Sequence, residues 1–368
     1  MTLELPNESA GGADPSLLDG ADPGVVTSAV DQDTVRRVCA DRSLPLEERL
    51  EAYEDLFESE VGDTILTRAR NIEREVGLRQ IYLKFEGDNP SGTQKDRIAF
   101  AQADDAMRRG FDAMTVATCG NYGVAVSLAA SLAGLRCYVY VPQSYRTSRI
   151  AEIEQNGAEV LRAPGDYEAV VEISRRRADI DEIYDANPGG ANTALQLKAY
   201  GEISYEIYDE LRDAPAAVAV PVSNGTTLAG IHRGFVSLYR RGKTSRIPKM
   251  IAGSSFGKNP IVRAFLKNAT SCDNLPPDKI RETAINEPLI NWSSIDGEHA
   301  LRAIRLSGGW AGFVSDRNML RFSRITREQQ GLSVLPASTA GLIALLDRHQ
   351  KTGLGNDRYV VVLTGRKS

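Results

Sequence analysis

Cysteine is scarce and scattered in this chain: four residues in 368 (Cys39, Cys119, Cys137 and Cys272), with no C-x-x-C pair. That spacing excludes a disulfide framework or a zinc ribbon, so reduced thiols and no metal are the expectation. Long apolar runs are also missing. No stretch approaches the roughly 20 residues that span a bilayer, and the N-terminus does not join a basic segment to an apolar core. No membrane partner and a cytoplasmic location are therefore expected. A basic cluster is lacking as well. With 44 Lys and Arg against 49 Asp and Glu, and a formal net charge of −5, nucleic acid is not the expected partner.

What is present is the composition of a soluble globular protein, 42% hydrophobic and 25% charged, long enough for two packed lobes. Residues 1–45, rich in Gly, Asp, Pro and Ser, read as a flexible N-terminal arm. A helix over 44–57, a turn, a short extended piece and another helix follow. From Ile81 onward short apolar strands alternate with amphipathic helices: IYLKF, AMTVATC, CYVYVP, AEVLRA, DEIYDA and AAVAVPV each precede a helical stretch, with KMIAG and YVVVLTG as later strands. The fold class is α/β, two three-layer lobes around mostly parallel sheets, with ligands at the carboxyl ends of the strands.

Three strand-to-helix turns carry unusual chemistry. Lys95, in KFEGDNPSGTQKDR, stands at the mouth of a helix, where the dipole disfavours a cation. A lysine placed there should have a lowered pKa, as an amine nucleophile requires. Ser223, Asn224, Gly225, Thr226 and Thr227 open a helix after a buried strand and offer N–H groups and hydroxyls to an anion such as a phosphate. Thr118, Cys119, Gly120, Asn121 and Tyr122 form a glycine-bearing turn whose N–H groups suit a carboxylate, while the Asn121 amide can donate to a phenolate-like oxygen.

Those residues resemble the fold-type II pyridoxal-phosphate enzymes. NPSGTQKDR is similar to the cofactor-lysine segment of that family. VGDTILTRARNIE, VPVSNGTTLAGIHRGF, ALRAIRLSGG, VSDRNML, LPASTAGLIAL and VVVLTG look most like threonine synthase, and KDRIAFAQADDAMRRG is closer to cysteine synthase. The resemblance implies that Lys95 carries pyridoxal 5'-phosphate and shuttles the substrate's α-proton. It makes Asn121 the partner of the cofactor's 3′-oxygen and Ser223 to Thr227 its phosphate site. Thr364, with Ser338 as the second candidate, would face the pyridine nitrogen, and Thr118, Cys119, Gly120 and Tyr122 would surround the carboxylate of a small amino-acid substrate. It further implies a large cofactor-binding domain of residues 46–99 plus 201–368, a small mobile domain of 100–200, and a homodimer. The implied activity is β- or γ-replacement or elimination on an O-activated amino acid. It is threonine-synthase-like, with cysteine-synthase-like β-replacement on O-acetyl- or O-phosphoserine as the alternative.

Several positions depart from the family pattern. Ser223 and Thr226 stand where glycines are usual, so Thr226 is expected to adopt a glycine-like backbone. Gln94 and the bulky Tyr122 should reshape the pocket. No arginine follows Asn187-Pro188, where threonine synthase has one that helps bind a substrate phosphate. Two other classes compete. Gly253-Ser254-Ser255-Phe256-Gly257 fits the nucleophile elbow of a serine hydrolase, with Asp296 or Asp347 and His299 or His349 as partners of Ser255. A non-catalytic module built on the pyridoxal-phosphate fold is the other.

Overall fold

The computed structural model describes residues 31–118, 120–145 and 149–367. Ten strands are found among them: β1 (Leu66–Arg68), β2 (Ile81–Phe85), β3 (Ala113–Ala117), β4 (Arg136–Pro142), β5 (Glu159–Ala163), β6 (Tyr184–Asp185), β7 (Ala217–Pro221), β8 (Lys249–Ser255), β9 (Trp310–Val314) and β10 (Tyr359–Leu363). The helices are α1 (Gln32–Ala40), α2 (Leu46–Glu60), α3 (Arg70–Val76), α4 (Lys95–Arg108), α5 (Asn121–Leu132), α6 (Ile150–Gln155) and α7 (Tyr167–Asp181), then α8 (Thr193–Leu211), α9 (Thr226–Arg240), α10 (Pro260–Leu266), α11 (Gly297–Leu306), α12 (Asp316–Gln330) and α13 (Ala340–Thr352).

Two sheets result. The larger has the order β1-β2-β10-β7-β8-β9 and is parallel except for the short β1; the smaller is β5-β4-β3-β6, all parallel. The two-residue period of the strands explains both faces. In β7, Val218 and Val220 pack with Leu228 and Ile231 of α9, whereas Ala217 and Ala219 pack with Leu342 and Leu345 of α13. In β3, Met114 and Val116 face α5. Thr115 turns the other way, its hydroxyl 2.9 Å from that of Ser174 in α7. Each fully buried Val, Ile or Leu in such a layer contributes roughly 1.5–3 kcal/mol.

Residues 31–45, read from composition as the end of a flexible arm, hold a packed helix. Asp31 caps α1 by accepting from the Asp33 N–H, Val35 and Cys39 bury one turn apart, and Arg49 Nε donates to the Cys39 carbonyl at 2.8 Å. Composition hid a single amphipathic helix of 9 residues. Residues 1–30 lie outside the described ones.

Close backbone approach sets one end of the larger sheet. A Cβ at Gly253 would lie 2.0 Å from the Ala340 carbonyl oxygen, and one at Gly341 would lie 2.8 Å from the Val220 nitrogen. The start of α13 therefore rests directly on β7 and β8, which brings Ser338 to the carboxyl ends of the strands.

Just beside them is a buried ionic cluster. Arg97 holds Glu86 at 2.6 and 2.9 Å and Glu206 at 2.6 and 2.9 Å, and Lys84 pairs with Glu206 and the Thr64 carbonyl. Two cations balance two carboxylates. Burial opposes ionisation of Arg97, but Glu86 and Glu206 outweigh it and raise its pKa.

Candidate active site

The register of the larger sheet brings distant residues together. Leu363 of β10 pairs with Phe85 of β2, and Val361 with Ala219 of β7, so the segments leaving these strands emerge at one edge. There the Gln94 N–H donates to the Thr364 carbonyl at 3.0 Å, and Thr93 forms an isolated bridge with Gly365. These bonds fix the first turn of α4 against the end of β10. Lys95, Asn121, Tyr122, residues 223–227, Ser338 and Thr364 all line one cavity of about 650 Å³.

The Lys95 amine lies 5.6 Å from the centre of the Tyr122 ring. Its pKa is pushed down to about 8, chiefly by burial, while the charge of Asp296 opposes the shift. The depression expected of this lysine is present, with burial as its largest cause. An unfolded chain keeps the lysine near 10.5, so between about 8 and 10.5 the unfolded state binds more protons and stability rises with pH. Lys95→Met is therefore expected to raise the thermal unfolding midpoint of the cofactor-free chain at pH 7. The gain should shrink as pH climbs through that window, and thermal melts at several pH values would reveal a pH-independent gain if the assignment were wrong.

In the 223–227 turn only Gly225 adopts a left-handed backbone, with φ +93°. A Cβ there would also meet the Ala300 Cβ at 2.7 Å. Thr226 is simply the first residue of α9, so the expectation that it takes a glycine-like geometry is corrected. Its hydroxyl donates to Asp296 Oδ2 at 2.5 Å. Residues that sequence reasoning did not assign to this site hold the turn from outside. Asn259 Nδ2 and the Ser294 hydroxyl donate to the Ser223 carbonyl, each at 3.0 Å, and Asn291 Nδ2 donates to Asn224 Oδ1 at 2.9 Å.

The Thr118 hydroxyl oxygen accepts the N–H groups of Gly120 and Gly123 at 3.2 Å each. Cys119 lies outside the described residues. Asn121 opens α5 and is partly exposed to the cavity. Tyr122 offers its ring, while its hydroxyl is turned into the small lobe, against Gln102 Oε1 and 2.7 Å from the Ala186 carbonyl. Thr364 and Ser338 stand 3.0 Å apart, hydroxyl to hydroxyl, with Ser338 fully buried behind the half-buried Thr364.

The outer wall is acidic. Asp166, Glu168, Glu282 and Glu287 line it together with Arg281. Glu287 accepts from the Tyr145 hydroxyl at 2.8 Å, and burial raises the pKa of both Glu168 and Glu287.

The hydrolase reading fails on geometry. Ser255 is buried, His299 is exposed, and His349 Nδ1 accepts the Leu354 N–H. Asp296 is engaged with Thr226 and with the Thr193 hydroxyl at 3.1 Å. Among the described residues no group of histidine, cysteine and carboxylate side chains could hold a metal, and no helix is long and apolar enough to cross a membrane.

A two-lobed, mostly parallel α/β fold, with a buried amine and a helix-start turn opening on one cavity, is the arrangement of a lysine-dependent cofactor enzyme. Residues 57–365 match the family model described as "Pyridoxal-phosphate dependent enzyme". The chain belongs to that family, and it is a pyridoxal 5'-phosphate enzyme of amino-acid metabolism, of the lyase or transferase type. It is 28% identical to the threonine synthase of Methanocaldococcus jannaschii over 305 residues, covering 82% of this chain and 74% of that one. It is also 28% identical to the threonine synthase of Mycobacterium tuberculosis over 290 residues, 77% and 75% of the two chains. Among solved structures it resembles the threonine deaminase of T.th. (TM-score 0.71, 20% identity, 87% of this chain and 97% of that one). Maize serine racemase is similar in fold as well (TM-score 0.70, 17% identity, 87% and 94%).

Proposed function

We propose that the chain catalyses replacement or elimination at the β- or γ-carbon of an O-activated amino acid, on the pattern of the threonine synthases it resembles. The observation that carries this reading is the meeting of the Lys95 amine, the 223–227 turn and the Thr364–Ser338 pair in one cavity. The donor set fits pyridoxal phosphate: one amine, a turn of backbone N–H groups at a helix start, and uncharged hydroxyls where a ring nitrogen would lie. When bound, this cofactor supplies an aldehyde that takes up an amine and a ring that withdraws electrons from the α-carbon.

The protein's own groups do the rest. Lys95 Nζ would hold the cofactor through its aldehyde and, as a free amine, would accept the substrate's α-proton. A pKa near 8 leaves a usable fraction of neutral amine at physiological pH. Ser223 to Thr227 hold the phosphate, chiefly through N–H groups, because the Thr226 hydroxyl is already given to Asp296. Asn121 donates to the ring oxygen. Thr364, backed by Ser338, would face the ring nitrogen and carries no formal charge, so it would not enforce protonation there. With the Gly120 and Gly123 N–H groups taken by Thr118, the first N–H groups of α5, at Asn121 and Tyr122, and the Thr118 hydroxyl receive the substrate carboxylate. The domain of residues 100–200 closes over the substrate and excludes water from the remaining 46–99 and 201–368 portion. A homodimer in the cytoplasm completes the reading.

A second reading, β-replacement of the cysteine-synthase kind, is favoured by one feature. Among the described residues the wall beyond the cofactor site carries four carboxylates and one exposed arginine, and Pro188 is followed by Gly189 and Gly190 without a cation. A phosphorylated side chain finds little to pair with there. Assays with O-phosphohomoserine, O-phosphoserine and O-acetylserine decide. Phosphate release with threonine formation from the first supports the threonine-synthase pattern, and turnover of O-acetylserine or O-phosphoserine without it supports the second. Inactivity on all three contradicts the proposal.

A further inference from the structure

Asp296 is 2% exposed, yet among the described residues its carboxylate is bonded to two hydroxyls and to no cation. Such a charge is costly to bury. Its position explains what it joins. Oδ2 accepts from Thr226, the first residue of the helix that follows the 223–227 turn, and the Asp296 N–H donates to the Asn224 carbonyl at 3.0 Å. Oδ1 accepts from Thr193, the first residue of α8. The segment before Thr193 is bonded in turn to the smaller sheet. Asn192 Nδ2 donates to the Asn187 carbonyl at 2.9 Å, and Asn187 Oδ1 accepts the Ala117 N–H at 2.8 Å, at the end of β3 where the 118–123 turn begins. A continuous series of hydrogen bonds and adjacent residues thus runs from one anion-binding turn to the other, and Asp296 is the only side chain in it that touches both halves.

We propose that Asp296 is a positioning residue that ties the carboxylate-binding turn of the small lobe to the phosphate-binding turn of the large one. Occupation of the first turn by an amino acid then alters the environment of the phosphate in the second. The charge of Asp296 also acts on the Lys95 amine, consistent with its place between the two turns. This inference rests on the assignment of those turns made above.

The test uses the cofactor-loaded full chain and two readouts, the visible absorption of the lysine-bound cofactor and the ³¹P resonance of its phosphate. L-Serine, L-threonine and their O-acetyl and O-phospho forms are the probes. In the wild type, an amino acid that changes the visible band should also move the cofactor's ³¹P resonance. In Asp296→Ala the same amino acid should still change the visible band while the ³¹P shift falls to less than about a third of the wild-type response. Asp296→Glu should restore part of it. Thr193→Val, which leaves the Thr226 bond intact, should reproduce the loss and serves if Asp296→Ala does not fold. A ³¹P response in both variants equal to the wild type's, or none in the wild type while the visible band changes, overturns the inference alone. A wild-type visible band insensitive to every probe overturns the enzymatic reading and this inference with it.

Discussion

Replacing Lys95 by alanine is expected to lower turnover by at least about a thousandfold, because proton transfer by a positioned base alone is worth roughly 10²–10⁴ in rate and the covalent hold on the cofactor is lost with it. The rest of the cavity should survive. Lys95 is the first residue of α4, and among the described residues its side chain forms no hydrogen bond that supports the fold; the turn is fixed by the backbone bonds of Gln94 and Thr93 to Thr364 and Gly365. The alanine variant is therefore expected to fold, to retain weakened cofactor binding through the 223–227 turn, and to lack the lysine-dependent visible band. Spectra and steady-state rates measured together check this. A variant that keeps the band and more than about a tenth of the activity would remove Lys95 from the chemistry.

The second large effect concerns stability. Arg97 is 3% exposed and is the bidentate partner of two carboxylates, Glu86 at 0% and Glu206. Arg97→Ala leaves both carboxylates with fewer partners in a dry environment. Breaking one side of such a cluster costs about 3–5 kcal/mol, whereas exchanging the whole cluster for apolar residues of similar volume can be near neutral. Urea unfolding of Arg97→Ala should show a loss of that size. Arg97→Met combined with Glu86→Gln, which leaves Glu206 paired with Lys84, should recover much of it. A loss below about 1 kcal/mol in the single variant would mean that water reaches the cluster and that its charges are screened.

Much of the fold was legible because its signals are local. β2, β3, β4, β7 and β10 are short apolar runs bounded by turn residues, and each reads directly from the sequence. Strand order was not legible, since the neighbours of β10 are β2 and β7, which lie far away in the chain. β9 was missed as a strand because WAGFV sits behind two glycines at the sheet edge and is only partly buried. α1 was lost in the composition of the residues around it.

The candidate site divides in the same way. Lys95, Asn121 and residues 223–227 occupy strand-to-helix turns, so topology alone brings them to one edge of the sheets. Thr364 and Ser338 were proposed as rivals for one role and prove to be hydrogen-bonded to each other. That contact depends on the packing of α13 against β7 and β8. Asp296 entered the sequence reading only as a possible partner of Ser255. Its bonds to Thr193 and Thr226 join positions 103 and 70 residues away, beyond the reach of any local pattern. Tyr122 was recognised as bulky, but that its hydroxyl points away from the cavity follows from Gln102 and Ala186.

Lys95 is expected to be the residue joined to the cofactor. Borohydride reduction of the cofactor-loaded chain, followed by proteolysis and mass spectrometry, tests it most directly. The predicted result is a phosphopyridoxyl adduct on Lys95 alone, absent from Lys95→Ala. An adduct on Lys84, Lys258 or another lysine, with Lys95 unmodified, would contradict the account.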